Sequence, residues 1–218
     1  MLTRRQVNVG LMAAALAAVP GFASAEVGKP ISLPAPRTEG GASLRAALQN
    51  RRSIREFADR PLPLPLLSDL LWAAYGVNRP DSGDRTAPSW RHEIIIDIHV
   101  VMADGVWLYA PKEHELLPHL TVDLRAQTGM QDFVGVAPLN LVYVANGDLM
   151  GNISDEDRRL WGTADTGFIA QNVYLLAAAE GLATVFRASV PRPQLASSLG
   201  LGQRQFITAA QTVGYPRS

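Results

Sequence analysis

The sequence predicts an α+β fold, because segments of two different periodicities are interleaved without regular alternation. Runs dense in Ile and Val at residues 93–102 and 139–145 have the length and composition of strands. Stretches at 44–49, 66–75 and 155–180 carry apolar residues at helical spacing. These do not follow one another as strand, helix, strand, so a doubly wound parallel sheet is disfavoured. The chain has 218 residues, 47% of them hydrophobic and 18% charged, which suits a single domain with a sizeable core.

Residues 1–25 read as an export signal rather than part of that core. Arg4-Arg5 precedes a short apolar run from Val9 to Val19, and Ala23-Ser24-Ala25 supplies an A-x-A cleavage pattern before Glu26. The run is short and rich in Ala and Gly, so no stable membrane insertion is expected. The paired arginines resemble the twin-arginine signal that exports folded proteins, with Val7 where that signal usually has Phe. A periplasmic or secreted location is the expectation. Folded export would suit a protein that acquires a cofactor in the cytoplasm.

The mature chain begins with an extended arm, residues 26–41, rich in Pro, Gly and small residues. A single domain is expected over 42–218. Ser43 can cap a helix over 44–49, with Leu44, Ala47 and Leu48 on one face. Pro61, Pro63 and Pro65 hold the backbone extended until a second helix turns Leu66, Leu67, Leu70, Leu71 and Ala74 inward and stops at Gly76. Residues 77–91 are polar and turn-rich, and a loop of that length in a compact domain is usually functional.

Strands follow at 93–102 and 105–109, joined as a hairpin through Ala103-Asp104-Gly105, with His99 as a core or edge histidine. A short helix is expected over 121–126 and another helical start near Asp132. Residues 139–145 form a buried strand broken only by Asn140 and Tyr143. Asp155-Glu156-Asp157 opens a long helix whose second half is apolar almost all round, the central helix of the core, closed by Gly181. Strand 183–186, helix 191–198 and strand 206–213 complete the chain.

Composition excludes several function classes. A formal net charge of zero lacks the one-sided basic field of a general nucleic-acid binder, and the mature chain is slightly acidic once the two signal arginines are gone. The absence of cysteine removes disulfides, thiolate metal ligands and a Cys nucleophile. His92, His99, His114 and His119 form no His-x-x-x-His pair, so no protein metal site is expected. The densest local chemistry is Arg51-Arg52-Ser53-Ile54-Arg55-Glu56-Phe57. Guanidinium groups hold phosphate with paired N–H bonds, and Ser53 adds a hydroxyl. Alone, the run reads more readily as a solvated basic face than as an anion clamp.

Four stretches in this order resemble the nitroreductase family of flavin enzymes: residues 51–57, Ala87-Pro88-Ser89, residues 165–184, and Val213-Gly214-Tyr215-Pro216. The resemblance implies a nitroreductase-like α+β fold with a central mixed or antiparallel sheet, and a homodimer with FMN at the subunit interface. It assigns Arg51, Arg52, Ser53 and Arg55 to the phosphate and ribityl chain. Pro88 and Ser89 reach the isoalloxazine from the other subunit, and Gln131 serves the pyrimidine edge. The backbone of Phe186-Arg187-Ala188-Ser189 lies over the ring, and Arg217 adds a cation. Where relatives carry Asn and Gln after the Ser, this chain has His92 and Ile94; His92 can replace the Asn, whereas Ile94 cannot donate.

The implied chemistry is two-electron hydride transfer through the flavin, to or from a small aromatic or quinone-like molecule, with no catalytic side chain required. NAD(P)H is one donor the resemblance allows. It is scarce outside the cytoplasm, so a quinone, a small redox carrier or direct substrate oxidation stay open. Tyr75, Trp90, Trp107 and Tyr109 are candidates for stacking on a planar substrate, and read equally as core or interface residues. The alternative is a non-catalytic protein that kept the fold and sequesters flavin.

Overall fold

The computed structural model describes residues 28–217. The expected export signal, residues 1–25, lies outside the described residues. In chain order the elements are β1 (Ile31–Ser32), α1 (Leu44–Asn50), α2 (Leu64–Tyr75), β2 (Val77–Arg79), β3 (Asp84–Arg85), β4 (Ile96–Met102), β5 (Gly105–Ala110), β6 (Glu115–Leu120), β7 (Leu139–Asn146), α3 (Asp155–Ala179), β8 (Ala183–Arg187), α4 (Arg192–Ser198) and β9 (Gln205–Gly214).

Seven strands form one sheet in the order β1-β6-β5-β4-β7-β9-β8, and every neighbouring pair is antiparallel. Strand β7 lies inside the sheet between β4 and β9 and is buried on both faces, which is why its sequence is almost continuously apolar. Leu139, Leu141, Tyr143 and Ala145 face a large cluster that includes Leu70 and Leu71 of α2 and Ile169 and Val173 of α3. Val142 and Val144 face the opposite cluster, with Leu195 of α4 and Leu199. The polar residues inside β7 are satisfied: the Tyr143 hydroxyl donates to Gln211 at 2.7 Å, and Asn140 donates to the Val134 carbonyl at 2.8 Å.

Helix α3 lies against this sheet. The Ser154 hydroxyl accepts from the Asp157 amide at 3.0 Å, and three acids in the first turn oppose the helix dipole. A Cβ at Gly162 would lie 2.9 Å from the Ala145 Cβ, so the missing side chain permits the close approach of helix to sheet. Gly181, at φ 68°, ends the helix in the left-handed conformation, and the Leu182 amide donates back to the Ala177 carbonyl.

The structure corrects several expectations. Only one face of α3 is core: Ile169, Val173 and Ala177 are buried, whereas Leu160, Trp161 and Phe168 are exposed. On α1, Ala47 alone is buried while Leu44 and Leu48 face outward. Helix α2 starts two residues earlier than expected, since Pro65 falls in its first turn, where a missing N–H costs nothing. No helix spans 121–126; a 3-10 turn at Arg125–Thr128 stands there instead. Tyr75 and Tyr109 are buried core residues and cannot stack on a substrate.

The arm is docked rather than free. Leu33 joins the core, β1 pairs with β6, and Arg37 binds Asp69 with its amide and guanidinium, at 2.7 and 2.6 Å, and Glu180 at 3.0 Å.

Candidate functional site

The arginine run sits where the end of α1 meets the C-terminal strand. The Ile54 amide donates to the Thr184 carbonyl of β8, and Phe57 forms an isolated bridge with Pro216. Around that bridge the Ala58 amide donates to the Tyr215 carbonyl, and the Arg217 amide donates to Glu56. Backbone pairing therefore brings Arg55 and Arg217, 162 residues apart in sequence, to neighbouring positions. Ile54 and Phe57 turn inward, as their three-residue spacing predicts, and Arg52, Ser53 and Arg55 are exposed. Among the described residues, Arg51, Arg52 and Arg55 make no ion pair within 4.0 Å. Arg52 uses only its Nε on a protein acceptor, the Asn50 carbonyl at 3.0 Å.

Ser53 is held by a residue the sequence reading missed. Its hydroxyl lies 2.7 Å from the hydroxyl of Tyr174 on α3, which also accepts from the Phe186 amide at 2.9 Å. Arg51 lies over the Tyr174 ring at 5.3 Å. Tyr174 thus couples the basic run to the strand expected to lie over a flavin. The only hint in sequence is a hydroxyl-bearing ring within an otherwise apolar helical stretch. Beside these residues a groove of about 290 Å³ is lined by Arg52, Ile54, Tyr174 and Thr184 among others.

Ala188 and Ser189 are exposed beyond the end of β8, whereas Arg187 points into the protein. Its guanidinium, 4% exposed, donates to the Thr128 carbonyl and hydroxyl, Asn140 and Thr212 at 2.8–3.3 Å. Burial among neutral acceptors lowers its pKa to about 10. Gln131 approaches this arginine across Gly129, where a Cβ would meet both side chains. The Gln131 Oε1 is buried without a hydrogen-bond partner among the described residues. An acceptor left in that state is costly.

Pro88, Ser89 and His92 are brought together elsewhere, around a cavity of about 180 Å³ that shares no lining residue with the arginine groove. Their loop is anchored by α3: the Trp90 amide donates to buried Asp165 at 2.9 Å, and Asn172 donates to the Thr86 carbonyl at 3.4 Å. Burial raises the Asp165 pKa, and the Trp90 amide partly opposes that shift. Arg91 and His92 both sit at positive φ, 52° and 63°. Two consecutive non-glycine residues in that region store strain of about 1–3 kcal/mol each. Loops that hold strain of this kind are common at ligand sites. Ile94 lines the same cavity and, at 40% exposure, offers only an apolar surface there.

A profile of the nitroreductase family matches residues 48–215. The chain belongs to the nitroreductase family. A Methanocaldococcus jannaschii protein with a nitroreductase designation is 33% identical over 152 residues, spanning 65% of this chain and 76% of its own. A crystal structure of a Ralstonia eutropha protein with the same designation is 42% identical and superimposes with a TM-score of 0.84, over 89% of this chain and 92% of that one. A chain of the E. coli microcin synthetase McbBCD complex, solved with truncated pro-MccB17 bound, has a TM-score of 0.67 at 21% identity, covering 85% and 77%. That likeness is one of fold alone. The nitroreductase fold expected from the sequence is the fold observed, and the family is one of oxidoreductases.

Proposed function

We propose that this nitroreductase-family protein is an FMN-dependent oxidoreductase acting by two-electron transfer on a small planar molecule. One observation carries the reading: among the described residues Arg51, Arg52 and Arg55 have no acidic partner within 4.0 Å, and they stand with Ser53 and Arg217 at the edge of β8, a set of donors that matches a phosphate monoester. The unpartnered Gln131 Oε1 fits the same ligand. Arg51, Arg52, Arg55 and Arg217 would hold the phosphate, Ser53 the ribityl chain and Gln131 the pyrimidine edge. The backbone from Phe186 to Ser189 would cover the ring. Bound FMN supplies hydride exchange at N5. The protein's own part is to fix charge at one end of the cofactor and to shield the other.

A homodimer completes this reading. Leu44 and Leu48 of α1 and Trp161 and Phe168 of α3 expose apolar surface at 40–64%, and a shallow groove of about 420 Å³ between Leu44, Trp72 and Leu176 adjoins them. Apolar surface of that extent on helices is the kind that a second subunit covers. Pro88, Ser89 and His92 would then serve the partner's cofactor, which accounts for their separation from the arginine groove within one chain. Export through the twin-arginine-like signal belongs to the same proposal, with a donor other than NAD(P)H.

Ile94 favours a second reading, a flavin-binding protein without turnover, because the residue contributes no donor to the loop cavity. The experiment is the visible absorbance of protein purified without added flavin, followed by release of the chromophore and stopped-flow reduction with quinols and NAD(P)H. FMN near one per subunit with electron exchange supports the enzyme. Flavin that exchanges electrons with no partner supports sequestration. A colourless protein that takes up no FMN refutes both.

A further inference from the structure

The cavity behind the Pro88-Ser89 loop contains a cation that the flavin reading does not use. Arg85, on β3, is partly buried and lines the cavity together with Arg79, Pro88, Ser89, His92 and Ile94. Its Nη1 donates to the Tyr75 carbonyl at 3.2 Å, and its Nε is buried with no partner among the described residues. The guanidinium also packs against the Tyr75 ring, at 5.1 Å from the centroid. No carboxylate lies within 4.0 Å of it among the described residues. Burial disfavours its charged form and lowers its pKa.

The one acid lining the cavity, Asp84, is already engaged. Arg79 donates to it at 3.1 Å and Ser82 at 2.7 Å, and these bonds hold its pKa low. The cavity therefore presents an excess of positive charge, and the Arg85 Nη2 has no protein acceptor among the described residues. A surface arginine with free donors is satisfied by water. A partly buried one beside an apolar wall of Pro88 and Ile94 is suited to a ligand with an anionic end and a flat apolar body.

We propose that Arg85 is the carboxylate-binding residue of a small-ligand site, and that the class of molecule it admits is a compact planar carboxylate. The volume of about 180 Å³ equals that of about six waters, which limits the ligand to roughly one ring with its carboxylate. Pro88, Ser89 and His92 would border that ring on the side facing the partner's flavin. That the ligand is a substrate rests on the flavoenzyme reading; that it is bound rests on the cavity alone.

The test is calorimetric titration of benzoate, with benzamide as the neutral isostere, into the full-length purified protein with and without FMN. Benzoate is expected to bind at least tenfold more tightly than benzamide, and Arg85→Met to weaken benzoate roughly 10–100-fold while leaving benzamide in place. Arg159→Met, at an exposed cation that lines a different groove, controls for net charge. Equal binding of benzoate and benzamide to the parent protein overturns the proposal without reference to any variant. So does an equal effect of Arg85→Met and Arg159→Met. Arg85-dependent benzoate binding by a protein that holds no flavin would keep the site and refute the flavoenzyme reading. Bound flavin with no benzoate selectivity would refute the site and keep that reading.

Discussion

Replacing Tyr174 by Phe removes one oxygen that serves two parts of the proposed site. The hydroxyl accepts from the Phe186 amide at 2.9 Å and lies 2.7 Å from the Ser53 hydroxyl. Strand β8 is at the edge of the sheet, so no neighbouring strand can take over the Phe186 amide. Tyr174 is only partly buried, and water can reach the freed groups, which sets the loss near a single neutral hydrogen bond, about 1 kcal/mol. For a domain of this size that is a fall in Tm of about 2–4 °C.

Ser53, released from its partner, would be expected to weaken FMN by about fivefold, the value of one such bond. Scanning calorimetry reads the first effect and flavin fluorescence titration the second. A variant with a lowered Tm and parental FMN affinity would make Tyr174 a structural residue only. Parental values of both would refute the coupling of the basic run to β8 altogether.

Three further outcomes are expected. Arg55→Ala should weaken FMN retention about 30-fold, the value of a charge-assisted bond, measured by equilibrium dialysis; unchanged retention in a folded protein would remove Arg55 from the phosphate site. Gly129→Ala places a Cβ against the Arg187 Nη1 and should cost about 2–3 kcal/mol in urea unfolding, because a buried guanidinium must give up bonds to make room. His99 is held at a pKa of about 4, first by burial and then by neighbouring His119. The unfolded chain binds the proton more readily, so this histidine leaves stability intact at pH 7 and subtracts from it as pH falls below about 6.5. The loss reaches about 2 kcal/mol at pH 5 and about 3 kcal/mol at pH 4, and His99→Leu should abolish that share of the acid sensitivity. Parallel pH profiles for parent and variant would show that His99 is protonated without penalty.

The elements most legible in the sequence were those whose burial is one-sided or complete. Strand β7 and helices α2 and α3 announce themselves by apolar pattern, and Ser43, the acids Asp155-Glu156-Asp157 and Gly181 mark helix ends by local chemistry. Strand β6 was missed because Pro118 interrupts it. The structure tolerates that proline because β1 pairs only with Glu115 and Leu116, leaving Pro118 no ladder to disturb on that side. The hairpin of β2 and β3 was missed because all its residues but Val77 are polar and the two strands pair only with each other.

For the site, the arginine run was readable from residue type, while its juxtaposition with Arg217 depends on sheet order and is invisible to local patterning. The exposed apolar faces of α1 and α3 misled for a physical reason. Helical periodicity reports that a face avoids water, and does not say whether a core or another molecule covers it. Arg85 carried no signal, since an arginine in a polar turn looks the same whether or not its donors are used.

Helix α3 has a property that follows from its geometry alone. Asp165 and Asn172, seven residues apart, reach one loop, whereas Tyr174 points about 180° away from Asp165 to the basic run. The helix therefore acts as a ruler, fixing an offset of about 14 Å between the two regions and their relative azimuth. One inserted residue between 165 and 174 would turn the far group by about 100° and advance it by about 1.5 Å. The length of this segment, more than its composition, is what lineages carrying both sites would have to keep.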